Sequence, residues 1–107
     1  MLLTTQNTIE GYDTVETIGV VRGNTIRARN IGHDIVASLR TLVGGEVTEY
    51  TKLMAEAREQ ATDRMIAEAQ NSGANAIVGV RFTTSTVLQG AAELLAYGTA
   101  IKVQPKS

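Results

Sequence analysis

Two hydrophobic periods run through the chain. Residues 2–5, 15–22, 76–84 and 93–103 carry β-branched and apolar residues with period-two character, whereas residues 34–43 and 50–71 repeat apolar positions every three or four. The first pattern belongs to half-buried strands and the second to amphipathic helices. The order predicted is therefore strand, strand, short helix, long helix, strand, strand. It favours an α+β unit in which an antiparallel sheet is packed against one long helix and one short helix on one face.

The strands differ in what they offer. In Val15–Arg22, the residues Ile18, Val20 and Arg22 share one side, and Thr17, Gly19 and Val21 the other. Gly23-Asn24 is a turn signal, yet Thr25–Ala28 can resume extended structure, so a hairpin and a bulge both stay open there. In Ala76–Thr84, Val78, Val80 and Phe82 point one way and Ile77, Gly79, Arg81 and Thr83 the other. A connection is expected over Ser85–Ala92, centred on Gly90. Glu93–Val103 closes the chain with Leu95, Tyr97, Thr99, Ile101 and Val103 on one face. Its opposite face, Leu94, Ala96, Gly98, Ala100 and Lys102, is mostly small and flat, and would admit another element closely. Gly11, within Ile9–Asp13, marks a turn.

Asp34–Val43 has the spacing of a short helix, with Asp34 at its N-terminal end and Gly44-Gly45 as a stop. Tyr50–Asn71 is the stronger helix. Tyr50, Leu53 or Met54, Ala57, Ala61, Met65 and Ala69 form its stripe, and Ile66 widens it. At about 1.5 Å per residue it is roughly 33 Å long. Ser72-Gly73 ends it, with Gly73 at the C′ position.

Composition adds a constraint on size. The 107 residues form one domain; 43% are hydrophobic but only 4% aromatic, so the core is built from Val, Ile, Leu and Ala. A chain with so little bulky apolar material gains from association with its own kind. Ten basic residues against eleven acidic leave a net charge of -1, which argues against a nucleic-acid partner. Arg22, Arg27 and Arg29 lie on a strand-like stretch that can project them as a local basic patch, but charge balance favours scattered solvent-facing arginines. Cysteine is absent, which excludes disulfides, thiolate metal cages and thiol nucleophiles. The opening MLLTTQNTIEG carries no basic leader, and no window has the roughly 18 apolar residues of a spanning helix, so a cytoplasmic protein with no membrane partner is expected.

Several blocks together carry a family resemblance: TTQNTIEGYD, GVVRGNTIRARN, Gly44-Gly45, YTKLMAEAREQATDRMIAEA, SGANAIVGVRF and AYGTAIKV. Through them the whole chain, residues 1–107, resembles the YbjQ family of small uncharacterised bacterial and archaeal proteins, which carries a heavy-metal-binding label. The resemblance implies a dodecin-like, ring-forming subunit that assembles as a homopentamer through strands at subunit edges. It implies no reaction and brings no ligand set.

The candidate chemistry is sparse. For a metal, the chain offers one histidine, His33, beside Asp34; one imidazole and scattered carboxylates make a poor soft-metal set. Glu10, Asp13 and Glu16 are irregularly spaced and read as a solvated acidic rim. Ser38, Ser72 and Ser85 lack a nucleophile elbow. For a small ligand, the turns Gly44-Gly45 and Gly73-Ala74-Asn75 offer backbone amides, and Arg40 lies near the first. Arg22, Arg40, Gly44, Gly45 and Asn75 are the candidate ligand residues; no cofactor is implied. The expected function is a homo-oligomeric protein binding a small molecule or ion at subunit interfaces. An enzyme using Arg22, Arg40 and Glu10, a scaffold and a heavy-metal binder are the alternatives.

Overall fold

The computed structural model describes residues 1–27, 48–88 and 91–107. The described elements are β1 (Leu2–Leu3), β2 (Tyr12–Arg27), α1 (Thr48–Asn71), β3 (Ala76–Leu88) and β4 (Ala91–Pro105). They form one four-stranded sheet in the order β1-β3-β4-β2. β4 pairs antiparallel with both β2 and β3, while β1 lies parallel to β3.

The sheet is therefore mixed, which corrects the all-antiparallel arrangement expected from the sequence. Two facts correct the remainder of that architecture. A single helix, α1, stands among the described residues, and the proposed short helix Asp34–Val43 lies outside them. Among the described residues the sheet is open, with β1 and β2 as its margins, so the ring-forming, dodecin-like subunit gives way to an α+β layer with one helix among those residues.

α1 follows its stripe. Ala57, Ala61, Met65 and Ala69 are buried against the sheet, with Ile66 packed partly alongside. They meet Val21 of β2, Ile77 and Val80 of β3, and Leu94, Ala96 and Ala100 of β4. The small face of β4 is thus taken by the chain's own helix. Contact is closest at Gly23, where a Cβ would stand 2.2 Å from the Ala61 carbonyl oxygen and 2.4 Å from the Met65 amide nitrogen. The buried Thr25 hydroxyl donates to the Ala57 carbonyl (3.2 Å) and ties the same strand to the helix. At the far end, Ala74 N–H donates to Ala69 O and Gly73 N–H to Gln70 O, with Gly73 at φ +88°. Gly73 is thus the C′ residue expected, and the helix closes in a Schellman motif. Lys102 lies over Gly73 and pairs with Glu16 at 3.7 Å. The helix has no basic residue in its last turn, so Lys102 places a cation at the negative end of its dipole.

Two glycines change which side chains face the helix. Gly19 (φ +146°) and Gly79 (φ +61°) both sit at register shifts, between Thr17 and Gly19 in β2 and between Val78 and Arg81 in β3. A bulge adds one residue to one strand and reverses the alternation beyond it. Ile18 therefore joins Val21 on the helix face, and Ile77 joins Val80. Strict alternation had divided both pairs. The turn signal at Gly23-Asn24 is overridden as well: β2 runs through it, paired residue for residue with β4 from Val20–Thr99 to Arg27–Ala92. The Ser85–Ala92 connection is shorter than expected, because β3 continues to Leu88 and β4 begins at Ala91.

On the reverse face a second cluster forms from Ala76, Val78, Ile101 and Val103, with Ile9 and Tyr12 packed against it. The N-terminal segment is laced beside β3: Thr4 N–H donates to Ile77 O, Val80 N–H to Thr4 O and Gly79 N–H to Gln6 O. No described helix is long and apolar enough to cross a membrane.

Candidate functional site on the open face of the sheet

Beyond the second cluster, the face away from α1 is uncovered by any described element. Register sets its layout. Arg22 of β2 stands opposite Tyr97 of β4, and Tyr97 stands opposite Arg81 of β3. Directly paired residues in a sheet share a face, so Arg22, Tyr97 and Arg81 form one row across three strands. One neighbouring row is Val20, Thr99 and Val78; the other is Asn24, Leu95 and Thr83. Ile26, Glu93 and Ser85 follow. Large apolar side chains on this face meet solvent: Val20 is 68% exposed, Ile26 54% and Tyr97 38%.

The polar groups in the row are held differently. The Nη1 of Arg81 donates to Thr5 O and Val80 O, both at 2.8 Å, which fixes that guanidinium beside the N-terminal segment. Among the described residues, nothing accepts a hydrogen bond from the Arg22 guanidinium. Its backbone N–H, on the free margin of β2, donates to Glu68 Oε2 at 3.3 Å. Arg64, one helical turn before Glu68, donates to the Asn24 carbonyl. These two side chains occupy margin groups that would otherwise invite another strand. Asn24 Nδ2 donates to Glu93 Oε2 at 3.1 Å, which holds the carboxylate of the last row.

Arg22 and Asn75, the ligand candidates among the described residues, stand apart. Arg22 lies on the open face. Asn75 lies near the other end of β4, where its Nδ2 donates to Val103 O (2.9 Å) and its Oδ1 accepts from Val103 N–H (2.8 Å). Its amide thus extends the β3 ladder by one side-chain pair. Val103 lies six residues along β4 from Tyr97, roughly 20 Å at strand rise, so Arg22 and Asn75 do not share a site. Arg40, Gly44, Gly45, His33 and Asp34 lie outside the described residues. Among the described residues, no three of His, Cys, Asp and Glu come together as a metal cage, and Glu10, Asp13 and Glu16 do not form one. Tyr97 and Arg81 are the residues that sequence reasoning missed. Tyr97 was visible in the alternation of β4; the side of Arg81 relative to Tyr97 depends on the Gly79 bulge.

An α+β layer, with one helix and an open, arginine-flanked sheet face among the described residues, is thus the class of structure. The chain belongs to the YbjQ family: residues 1–104 match the family described as "Putative heavy-metal-binding". A UPF0145 protein of Methanococcus vannielii is 62% identical over 104 residues, covering 97% of this chain and 99% of the relative. One from Halorubrum lacusprofundi is 54% identical over 104 residues (97% and 100%), and one from Thermus thermophilus 50% over 105 (98% and 92%). The crystal structure of a DUF74 family protein of unknown function from Pediococcus pentosaceus superposes with a TM-score of 0.64. It covers 97% of this chain and 98% of that one at 17% identity, which shows a shared fold.

Proposed function

We propose that this protein is a homo-oligomeric binding protein, in which copies associate over the open face of the sheet and a small molecule is held on that face at their junction. The observation that carries the reading is the exposure of Val20, Ile26 and Tyr97 on a face that α1 leaves bare. Val20 and Tyr97 stand in adjacent rows of that face, with half-buried Leu95 beside them, and an exposed apolar patch rimmed by polar groups marks an interaction site. The row of Arg22 and Arg81 gives the same face polar groups that orient a ligand. The shortage of bulky core residues favours the same outcome, since a partner adds buried area that one copy lacks. Sedimentation velocity at about micromolar concentration tests it, a concentration at which a stable interface stays closed. A mass above the monomer is expected, and Val20→Glu should lower it. A folded monomer at every concentration overturns the association.

A second reading, heavy-metal binding, is favoured by the family's description. His33 and Asp34 are its candidates. Calorimetric titration with Zn²⁺, Cu²⁺ and Ni²⁺ tests it: binding lost in His33→Ala supports the reading, and no heat above background removes it.

A further inference from the structure

We propose that the row Arg22–Tyr97–Arg81 binds a planar aromatic anion, with the ring lying on Tyr97 and the anionic group taken by the Arg22 guanidinium. The inference rests on the open-face reading above and narrows it to one class of ligand.

Position comes first. Tyr97 is paired with Arg22 on one side and Arg81 on the other. With strands about 4.8 Å apart, the two arginine backbones stand roughly 10 Å from each other across the tyrosine. A flat ring fits between them. Tyr97 is on the central strand of the three, yet it stays 38% exposed because no described element packs on it. Half-buried Leu95 and Thr99, two residues away on either side, border it on the same strand.

The charges are prepared for one ligand sign. Arg81 is fixed by two carbonyls, so its positive charge stands in place before anything binds. Preorganised charge adds affinity because no side chain must be ordered. Arg22 has its planar fork uncommitted among the described residues, and such a fork takes a carboxylate or phosphate through two parallel hydrogen bonds. Glu93, a carboxylate on this face, is already engaged by Asn24. It lies four residues along β4 from Tyr97, roughly 13 Å at strand rise. A cation would meet two guanidiniums, and an anion without a ring would leave Tyr97 uncovered.

The neighbouring rows limit the ligand to a single ring system. Val20–Thr99–Val78 and Asn24–Leu95–Thr83 carry neither a second aromatic residue nor another arginine. Single-stranded nucleic acid is bound by successive stacking platforms and a track of basic residues. One platform between two arginines suits a small molecule instead.

The test uses the full chain with ring-labelled tyrosine, and Tyr97→Phe assigns the resonance. It is titrated with AMP, 2-naphthoate, adenosine and inorganic phosphate. Saturable movement of the Tyr97 resonance is expected with AMP or 2-naphthoate, with adenosine and phosphate at least about tenfold weaker. The tighter of the two anions distinguishes a phosphate from a carboxylate ligand. By calorimetry, Arg22→Gln should weaken binding about tenfold, or ~1.4 kcal/mol, and Tyr97→Phe, which keeps the ring, should stay within about twofold. Neither anion saturating below about 10 mM, adenosine or phosphate binding equally well, or Arg22→Gln binding like the parent overturns the proposal. Arg22 is exposed, so its variant retains the core, and circular dichroism checks this. Sedimentation of the same samples separates the two claims. Self-association without saturation removes the ligand and leaves the oligomer; saturation in a monomer does the reverse. Saturable heat with an unmoved Tyr97 resonance places the ligand away from this row and overturns the proposal, leaving the oligomer to sedimentation.

Discussion

On one face of the sheet, Leu94, Ala96 and Ala100 of β4 lie sealed beneath α1; on the other, Tyr97 of the same strand and Val20 and Ile26 of β2 look outward. The covered face is made of small residues, and its stability comes from closeness. Gly23 lets the helix backbone reach β2, and Ala57, Ala61 and Ala69 keep the gap narrow. The other face holds larger side chains on which no described element packs. A chain poor in bulky residues has thus kept several of its few away from its own core. Phe82 makes the same point differently. It is opposite Ala96, on the helix side, but α1 packs on β2 and β4, and Phe82 remains 48% exposed. The difference between the faces separates what folds the chain from what is available to a partner.

Substitutions can break that comparison. Met65 of α1 is fully buried between the helix and the sheet, so Met65→Ala should cost about 3.5 kcal/mol through lost contact and the cavity left behind, measured by urea unfolding. Gly23→Ala should cost about 3 kcal/mol, because its Cβ would collide with helix backbone that has no flexible end to yield. A parental midpoint for Gly23→Ala would show that α1 does not sit so close. Asn75→Ala removes both side-chain bonds to Val103 and should cost about 2 kcal/mol, at roughly 1 kcal/mol for each. On the bare face, Val20→Ser should change folding by less than about 0.5 kcal/mol, as exposed sites do, while weakening self-association seen by sedimentation. If Val20→Ser destabilised the fold as Met65→Ala does, the faces would not differ in kind. Smallest of all, Lys102→Gln should cost a few tenths of a kcal/mol, since the Glu16 pair is exposed and solvent screens it.

The helix was the most legible element. Its stripe of Ala57, Ala61, Met65 and Ala69 appears in the sequence as it does in the core, because helical period and burial coincide over many turns. β4 was legible for the same reason at period two: Leu94, Ala96 and Ala100 meet the helix, and Ile101 and Val103 the reverse cluster. β2 and β3 were harder. Gly19 and Gly79 interrupt them, and an interior glycine leaves open whether a strand continues, bulges or turns. The site suffered from that ambiguity. Arg22 was identifiable as a candidate, but its neighbours were not, since Arg81 is far away in sequence and its side is set by the bulge before it.

Local pattern by itself determined one long amphipathic helix, its end with Gly73 at C′, the two faces of β4 and membership of an α+β class. Tertiary structure decided that the sheet is mixed, that β2 runs straight through Gly23-Asn24, and that the small face of β4 receives the chain's own helix. It also decided that Arg22, Tyr97 and Arg81 stand side by side. The physical reason is that a period needs only neighbours in sequence, whereas strand register is fixed by pairing between residues far apart, where one extra residue reverses every side chain that follows.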